Sequence, residues 1–213
     1  INTGAKYDNE AFQYSVGLNG VGTKAVNALS SYFEITSWRE GEYMNAVFER
    51  GELVHKEKGK GEEPNGTFVS FIPDDDPAIF GKYTYNEDYI KERLWNYAYL
   101  NKGLIISFNG KTIKSAGGLM DLVKKILGDD GLYPLINYKS RNLEFSFTHT
   151  NGYGESYHSY VNGQYTSDGG THEAAFKEGV LKGINEYFHK SWAAPEIRDG
   201  IVATVAIKVM NPV

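Results

Sequence analysis

Gly17-Leu18-Asn19-Gly20-Val21-Gly22 runs directly into Thr23-Lys24-Ala25-Val26-Asn27-Ala28-Leu29-Ser30. Val21, Ala25, Ala28, Leu29 and Tyr32 recur at the spacing of one helix face, so a glycine-rich turn opens a helix here. A helix start exposes unpaired N–H groups and a partial positive charge, and small residues let phosphate oxygens reach the backbone. The order is G-x-x-G-x-G, which differs from the dinucleotide G-x-G-x-x-G, and no Gly-Lys-Ser/Thr follows it. Two readings stay open: a phosphate cradle, or a tight turn that binds nothing.

Upstream, Ile1 to Val16 is polar and aperiodic and reads as a loop. Downstream, Phe33 to Ser37, Met44 to Phe48 and Thr67 to Ile72 read as strands, with His55 to Gly66 as a charged surface loop. Thr84 and Glu87 match a capping box for a helix with Ile90, Leu94, Tyr97 and Ala98 on its apolar face. Leu104 to Phe108, the Asn109-Gly110 turn and Lys111 to Lys114 form a hairpin, and a short helix spans 118–127. Gly128-Asp129-Asp130-Gly131 is the expected domain boundary, giving domains 1–130 and 131–213. Beyond it come strands Leu143 to Thr148 and Ser156 to Val161. A helix follows from Thr171 to about His189 with Phe176, Val180, Ile184, Tyr187 and Phe188 inward, then a strand from Ile201 to Val209. The class is α+β in two pieces.

The 213 residues are 41% hydrophobic and 23% charged, which suits a folded chain. No apolar run approaches the roughly 20 residues of a membrane helix, so no membrane partner is expected. Cys is absent, excluding disulfides and thiolate chemistry and agreeing with a cytoplasmic location. The net charge of −5 argues against a basic nucleic-acid coat. Ile1 opens without an initiator Met or signal peptide, as in an excised piece. Thr171-His172-Glu173-Ala174-Ala175-Phe176 begins like a zinc-protease helix, but Phe176 stands where the second His belongs. No metal site and no catalytic base emerge. Asp74 to Asp76 reads as a solvated, Pro-bounded turn with the option of a hard cation.

Several ordered blocks carry a family resemblance. They are Gly4 to Asp8, Val16 to Gly22, Val26 to Ser30, Asn65-Gly66-Thr67, Tyr160-Val161-Asn162, Asp168-Gly169-Gly170-Thr171-His172 and Arg198-Asp199-Gly200. Together they resemble the ATPase subunit of bacterial type IIA topoisomerases. Asn19 with Thr23-Lys24-Ala25 looks more like the topoisomerase IV branch than the gyrase branch. The resemblance implies the later part of an ATPase α/β sandwich of the gyrase, heat-shock-chaperone, kinase and mismatch-repair (GHKL) class, followed by a ribosomal-protein-like transducer domain.

That family binds ATP with Mg²⁺. Carried over, the lid covers Lys6 to Gly22, and Gly17 and the amides of Leu18, Asn19, Gly20, Val21 and Gly22 hold the β- and γ-phosphates, with Lys6 adding charge. Phe12 falls where the family often has a nucleotide-contacting Tyr, and Thr67 where a Thr organises the adenine pocket. The family's general-base Glu, magnesium-binding Asn and adenine-reading Asp lie upstream of Ile1. Lys177 and Lys182 are candidate contacts to double-stranded DNA phosphates, Lys177 standing where gyrases often place Arg. Implied partners are DNA, a DNA-cleaving A-type subunit and a second copy joined by ATP. The gyrase branch is the first alternative, followed by a mismatch-repair or chaperone ATPase and a non-enzymatic RNA-binding module.

Overall fold

The computed structural model describes residues 21–210. The chain divides into two compact units, with the break between Tyr85 and Asn86. The boundary expected at 128–131 does not separate them. Helix α3 (Leu119–Leu127), which precedes that turn, packs on strands that follow it. A charged Gly-Asp-Asp-Gly turn marks a change of direction, and which sheet a helix covers is decided by its apolar face.

The first unit begins with α1 (Gly22–Ala28) and holds β1 (Ser30–Arg39), β2 (Glu42–Glu49), β3 (Glu52–Lys60) and β4 (Gly66–Pro73) in an antiparallel sheet of order β3-β2-β1-β4. Its core is Phe33 and Phe48, both buried, with ring centroids 6.1 Å apart. The sequence places residues 55–60 in a loop; they are strand. The cause is the two-residue turn Arg50-Gly51, with φ of 49° and 87°, which folds β3 back along β2. An edge strand needs no apolar face, so Glu52 to Lys60 can be charged and almost wholly exposed. Helix α1 is shorter than the apolar spacing suggests. Tyr32 lies in β1, and of the α1 residues only Asn27 is buried.

The second unit starts at Asn86, whose side chain accepts the Tyr89 amide and caps α2 (Glu87–Leu100), in place of the Thr84 box. Hairpin β5 (Ile106–Phe108) and β6 (Lys111–Ile113) turns at Asn109-Gly110 as the sequence implies, with φ of 48° and 74°. After α3 come β7 (Ile136–Lys139), β8 (Leu143–His149), β9 (Ser156–Val161), β10 (Gln164–Tyr165), α4 (Thr171–Phe188), α5 (Ala194–Arg198) and β11 (Ile201–Ile207). The sheet order is β10-β9-β11-β8-β7, and β11 runs parallel to β9 but antiparallel to β8. The crossover carrying α4 therefore inserts the last strand between two earlier ones.

Being central, β11 is buried over Ile201 to Val205. Ile201, Ala203 and Val205 meet Phe147 and Phe176, whereas Tyr160 and Ala206 belong to a second cluster with Tyr99, Leu119 and Leu122. Tyr187 at 78% exposure and Phe188 at 55% are not part of the α4 core face. No helix among the described residues is long and apolar enough to cross a membrane.

Candidate functional site

Lys6, Phe12, Gly17, Leu18, Asn19 and Gly20 lie outside the described residues. The site begins with Val21, at the N-cap of α1, whose carbonyl accepts the Ala25 amide at 2.9 Å. Val21 and Gly22 are exposed, and a Cβ added at Gly22 would meet no atom within 4 Å. No acidic side chain stands in the first turn of α1. A first turn without an acidic side chain sets no like charge against an anion. Thr67 is exposed on β4, opposite Ser37 of β1. No group of three or more His, Asp or Glu among the described residues could hold a metal ion.

The far end of α1 is anchored by groups the sequence did not single out for it. Leu29 O accepts the Asp74 amide at 3.0 Å, and Ser30 O accepts the Arg50 amide at 2.9 Å. The Arg50 guanidinium then grips the Asp74 carboxylate with Nε at 2.6 Å and Nη2 at 3.2 Å. That hydrogen-bonded pair holds the Asp74 carboxyl below the usual carboxylate range. Asp74 is thus neither solvated nor a cation ligand: it is buried and belongs to Arg50. The signal was the arginine at a turn, which periodicity ignores.

In the second unit the motif blocks converge on α4. Gly170, with φ of 150°, precedes the helix, where a Cβ would approach the His172 ring to 3.0 Å. Glu173 accepts from Ser159 Oγ at 2.8 Å and pairs with Lys177 Nζ at 2.8 Å. Burial pushes the Glu173 carboxyl up, but the hydrogen bonds from Lys177 and Ser159 outweigh it and leave the group below its ordinary value. Thr166 Oγ1 sits 2.7 Å from Ser159 Oγ and 3.3 Å from His172 Nε2. His172 is shifted down by burial, which keeps it neutral near pH 7. The protease-like His-Glu step is therefore a half-buried strand-to-helix tie.

Two further blocks act as clamps. Asn162, at φ 50° in the β9–β10 turn, receives the Val209 amide and donates to the Val209 carbonyl at 2.9 and 2.8 Å. Asp199 Oδ1 accepts the Gly154 amide at 2.6 Å. Gly200, at φ 77°, leaves only 2.5 Å between a built Cβ and Thr150 O, so no side chain fits.

The two candidate DNA-contacting lysines differ. Lys182 is 77% exposed and 3.7 Å from Glu186. Lys177 is only 28% exposed; besides Glu173, it lies 4.1 Å from the Tyr157 ring centroid. Lys177 is held within the fold: a lysine stem beside an aromatic ring and a carboxylate folds onto both.

Comparison with known proteins places these features in a family. The chain is 50% identical over its whole length to the DNA topoisomerase 4 B subunit of Borreliella burgdorferi, covering 35% of that protein. It is 34% identical to the DNA gyrase B subunit of Thermotoga maritima, again over the whole chain and 37% of the relative. It thus spans about a third of the length of these curated relatives. The 43K ATPase domain of Thermus thermophilus gyrase B superposes with a TM-score of 0.75 at 31% identity, over 95% of this chain and 61% of that one. The ATPase region of Saccharomyces cerevisiae topoisomerase II, at 20% identity and a TM-score of 0.77 over 100% of this chain and 58% of that one, shares the fold. The family model for DNA gyrase B matches residues 87–213, the stretch that holds the β9–α4–β11 crossover and its clamps, and the chain belongs to that family.

Proposed function

We propose that this chain is part of the ATP-binding subunit of a type IIA DNA topoisomerase of the topoisomerase IV type. The observation that carries the reading is the 50% identity across all of the chain to a topoisomerase IV B subunit. In this reading the first unit belongs to a GHKL ATPase domain, and the unit beginning at Asn86 is the transducer. ATP supplies the energy and Mg²⁺ its counter-charge.

The chain's own contribution follows from its geometry. The amides at Val21 and Gly22 receive phosphate oxygens, and Thr67 faces the adenine side. Arg50 and Asp74 fix the C-terminal end of α1 to its sheet, so α1 offers a held base for the nucleotide. A two-state lid needs one fixed end, and this clamp provides it. Two subunits closed by ATP form a clamp around a DNA duplex while the A-type partner cleaves another. On α4, Lys182 offers its charge to a DNA phosphate freely, and Lys177 does so only by leaving Glu173. Such contacts are sequence-blind, as passage of any duplex requires.

The test is the full-length protein with its DNA-cleaving partner, given interlinked circles and supercoiled plasmid. ATP-dependent decatenation and relaxation are expected. ATP-driven introduction of negative supercoils would move the protein to the gyrase type, and no change of topology with ATP would overturn the proposal.

A further inference from the structure

A second binding feature lies wholly within the unit that starts at Asn86. A cleft of about 360 Å³ opens between α2, α3, β9 and β10, lined by Tyr89, Arg93, Lys125, His158, Tyr160 and Tyr165 among others. That volume stands at the lower end of the roughly 300–1,000 Å³ of small-molecule sites. It suits one nucleotide better than a larger cofactor.

The lining combines aromatic rings, an imidazole and two cationic side chains. Tyr160 is 3% exposed, yet its hydroxyl bonds to no described residue. Burial and the neighbouring Tyr165 push its pKa up to about 12, so it stays a donor. His158 is half-buried and likewise makes no hydrogen bond to a described residue; burial shifts it down, leaving a neutral ring with one donor and one acceptor. Tyr165, half exposed, presents its ring 5.5 Å from Tyr160 and 6.3 Å from His158.

At the rim, Arg93 Nη2 donates to the Tyr89 hydroxyl at 2.9 Å with its guanidinium 5.0 Å from that ring centroid, and Lys125 lies 5.9 Å from the ring centroid of Tyr99. Neither forms an ion pair with a carboxylate among the described residues, and Glu92 also borders the cleft.

We propose that this cleft binds a nucleoside monophosphate, its base stacked on Tyr165 and read by Tyr160 and His158, its phosphate held by Arg93 and Lys125. Glu92 and Asn96 face the sugar hydroxyls. A planar π-face over aromatic rings with a cationic rim is the general solution for nucleotide units.

Equilibrium dialysis of the full-length protein with UMP and AMP tests the proposal, with and without a non-hydrolysable ATP analogue. Saturable binding of one mononucleotide per chain is expected, undisplaced by the analogue. Tyr165→Ala, and Arg93→Ala with Lys125→Ala, should each weaken it about tenfold, equivalent to about 1.4 kcal/mol. Tyr160→Phe keeps the ring and removes only the hydroxyl, so a several-fold loss with an unchanged melting curve is a binding effect. Lys190→Ala, at an exposed lysine outside the cleft, should change nothing. The proposal is overturned if neither mononucleotide saturates by about 10 mM, if the analogue displaces it, if only oligonucleotides bind, or if the folded variants bind like wild type. These outcomes are independent of whether the protein changes DNA topology.

Discussion

Replacing Lys177 by Ala separates a lysine that holds α4 to its sheet from one that holds DNA. The loss to stability can be built from its contacts. An i,i+4 ion pair on a helix contributes about 0.3–0.5 kcal/mol. A partly desolvated cation 4.1 Å from the Tyr157 ring adds about 0.5–2 kcal/mol. Together Lys177→Ala should cost about 1–2 kcal/mol of the second unit's stability. Lys182, at 77% exposure with a loose 3.7 Å pair, should cost about 0.5 kcal/mol or less. A phosphate contact behaves oppositely: each one lost lowers the slope of log affinity against log salt by about 0.9. Two measurements decide the matter: urea unfolding of each variant, and the DNA concentration for half-maximal ATPase stimulation of the full-length protein from about 50 to 200 mM salt. Lys177→Ala should lose stability with little change of salt slope, and Lys182→Ala the reverse. Lys177→Met, which keeps the stem on Tyr157, should recover part of the stability. A fully stable Lys177→Ala whose salt slope falls by a whole contact would refute the reasoning.

Gly22→Ala should leave the melting temperature unchanged or slightly higher, because its methyl meets no neighbour within 4 Å and Ala favours helix. ATP affinity of the full-length protein should nevertheless fall; unchanged affinity would remove Gly22 from the phosphate cradle. Glu173 predicts an acid limb. Its pKa is depressed below the ordinary 4.5, so its stabilisation is complete above that value and is lost as pH falls through the lower folded value. The urea midpoint of Glu173→Gln should therefore vary less than wild type below about pH 4.5, and parallel curves would contradict it. Phe176→Ala empties the ring cluster with Phe145, Phe147 and Tyr157, at 5.3, 5.7 and 6.2 Å, and should cost about 3–5 kcal/mol. Denaturation that shows less than about 1 kcal/mol would mean that α4 is not held by this cluster.

The sequence by itself determined those parts whose physics is local. The start of α1, three of the four strands in the first sheet, the Asn109-Gly110 hairpin, and α3 and α4 follow from periodicity and turn chemistry, which act within a few residues. Two missed strands had a local signal as well: Arg50-Gly51 and Asn162-Gly163 are the same two-residue, positive-φ turns that generate β3 and β10. Charge in the first case and brevity in the second masked them. Only the tertiary structure could place β11 between β8 and β9, bring Ser159 to Glu173, or hand Asp74 to Arg50. Each depends on which distant segments pair, and neither composition nor spacing encodes that choice residue by residue. The domain boundary moved to Tyr85 for the same reason, since α3 was legible as a helix but the sheet it covers was not. Lys177 shows this at one side chain: its helix and its face could be read in the chain, while the ring and carboxylate that claim its charge are supplied by the fold.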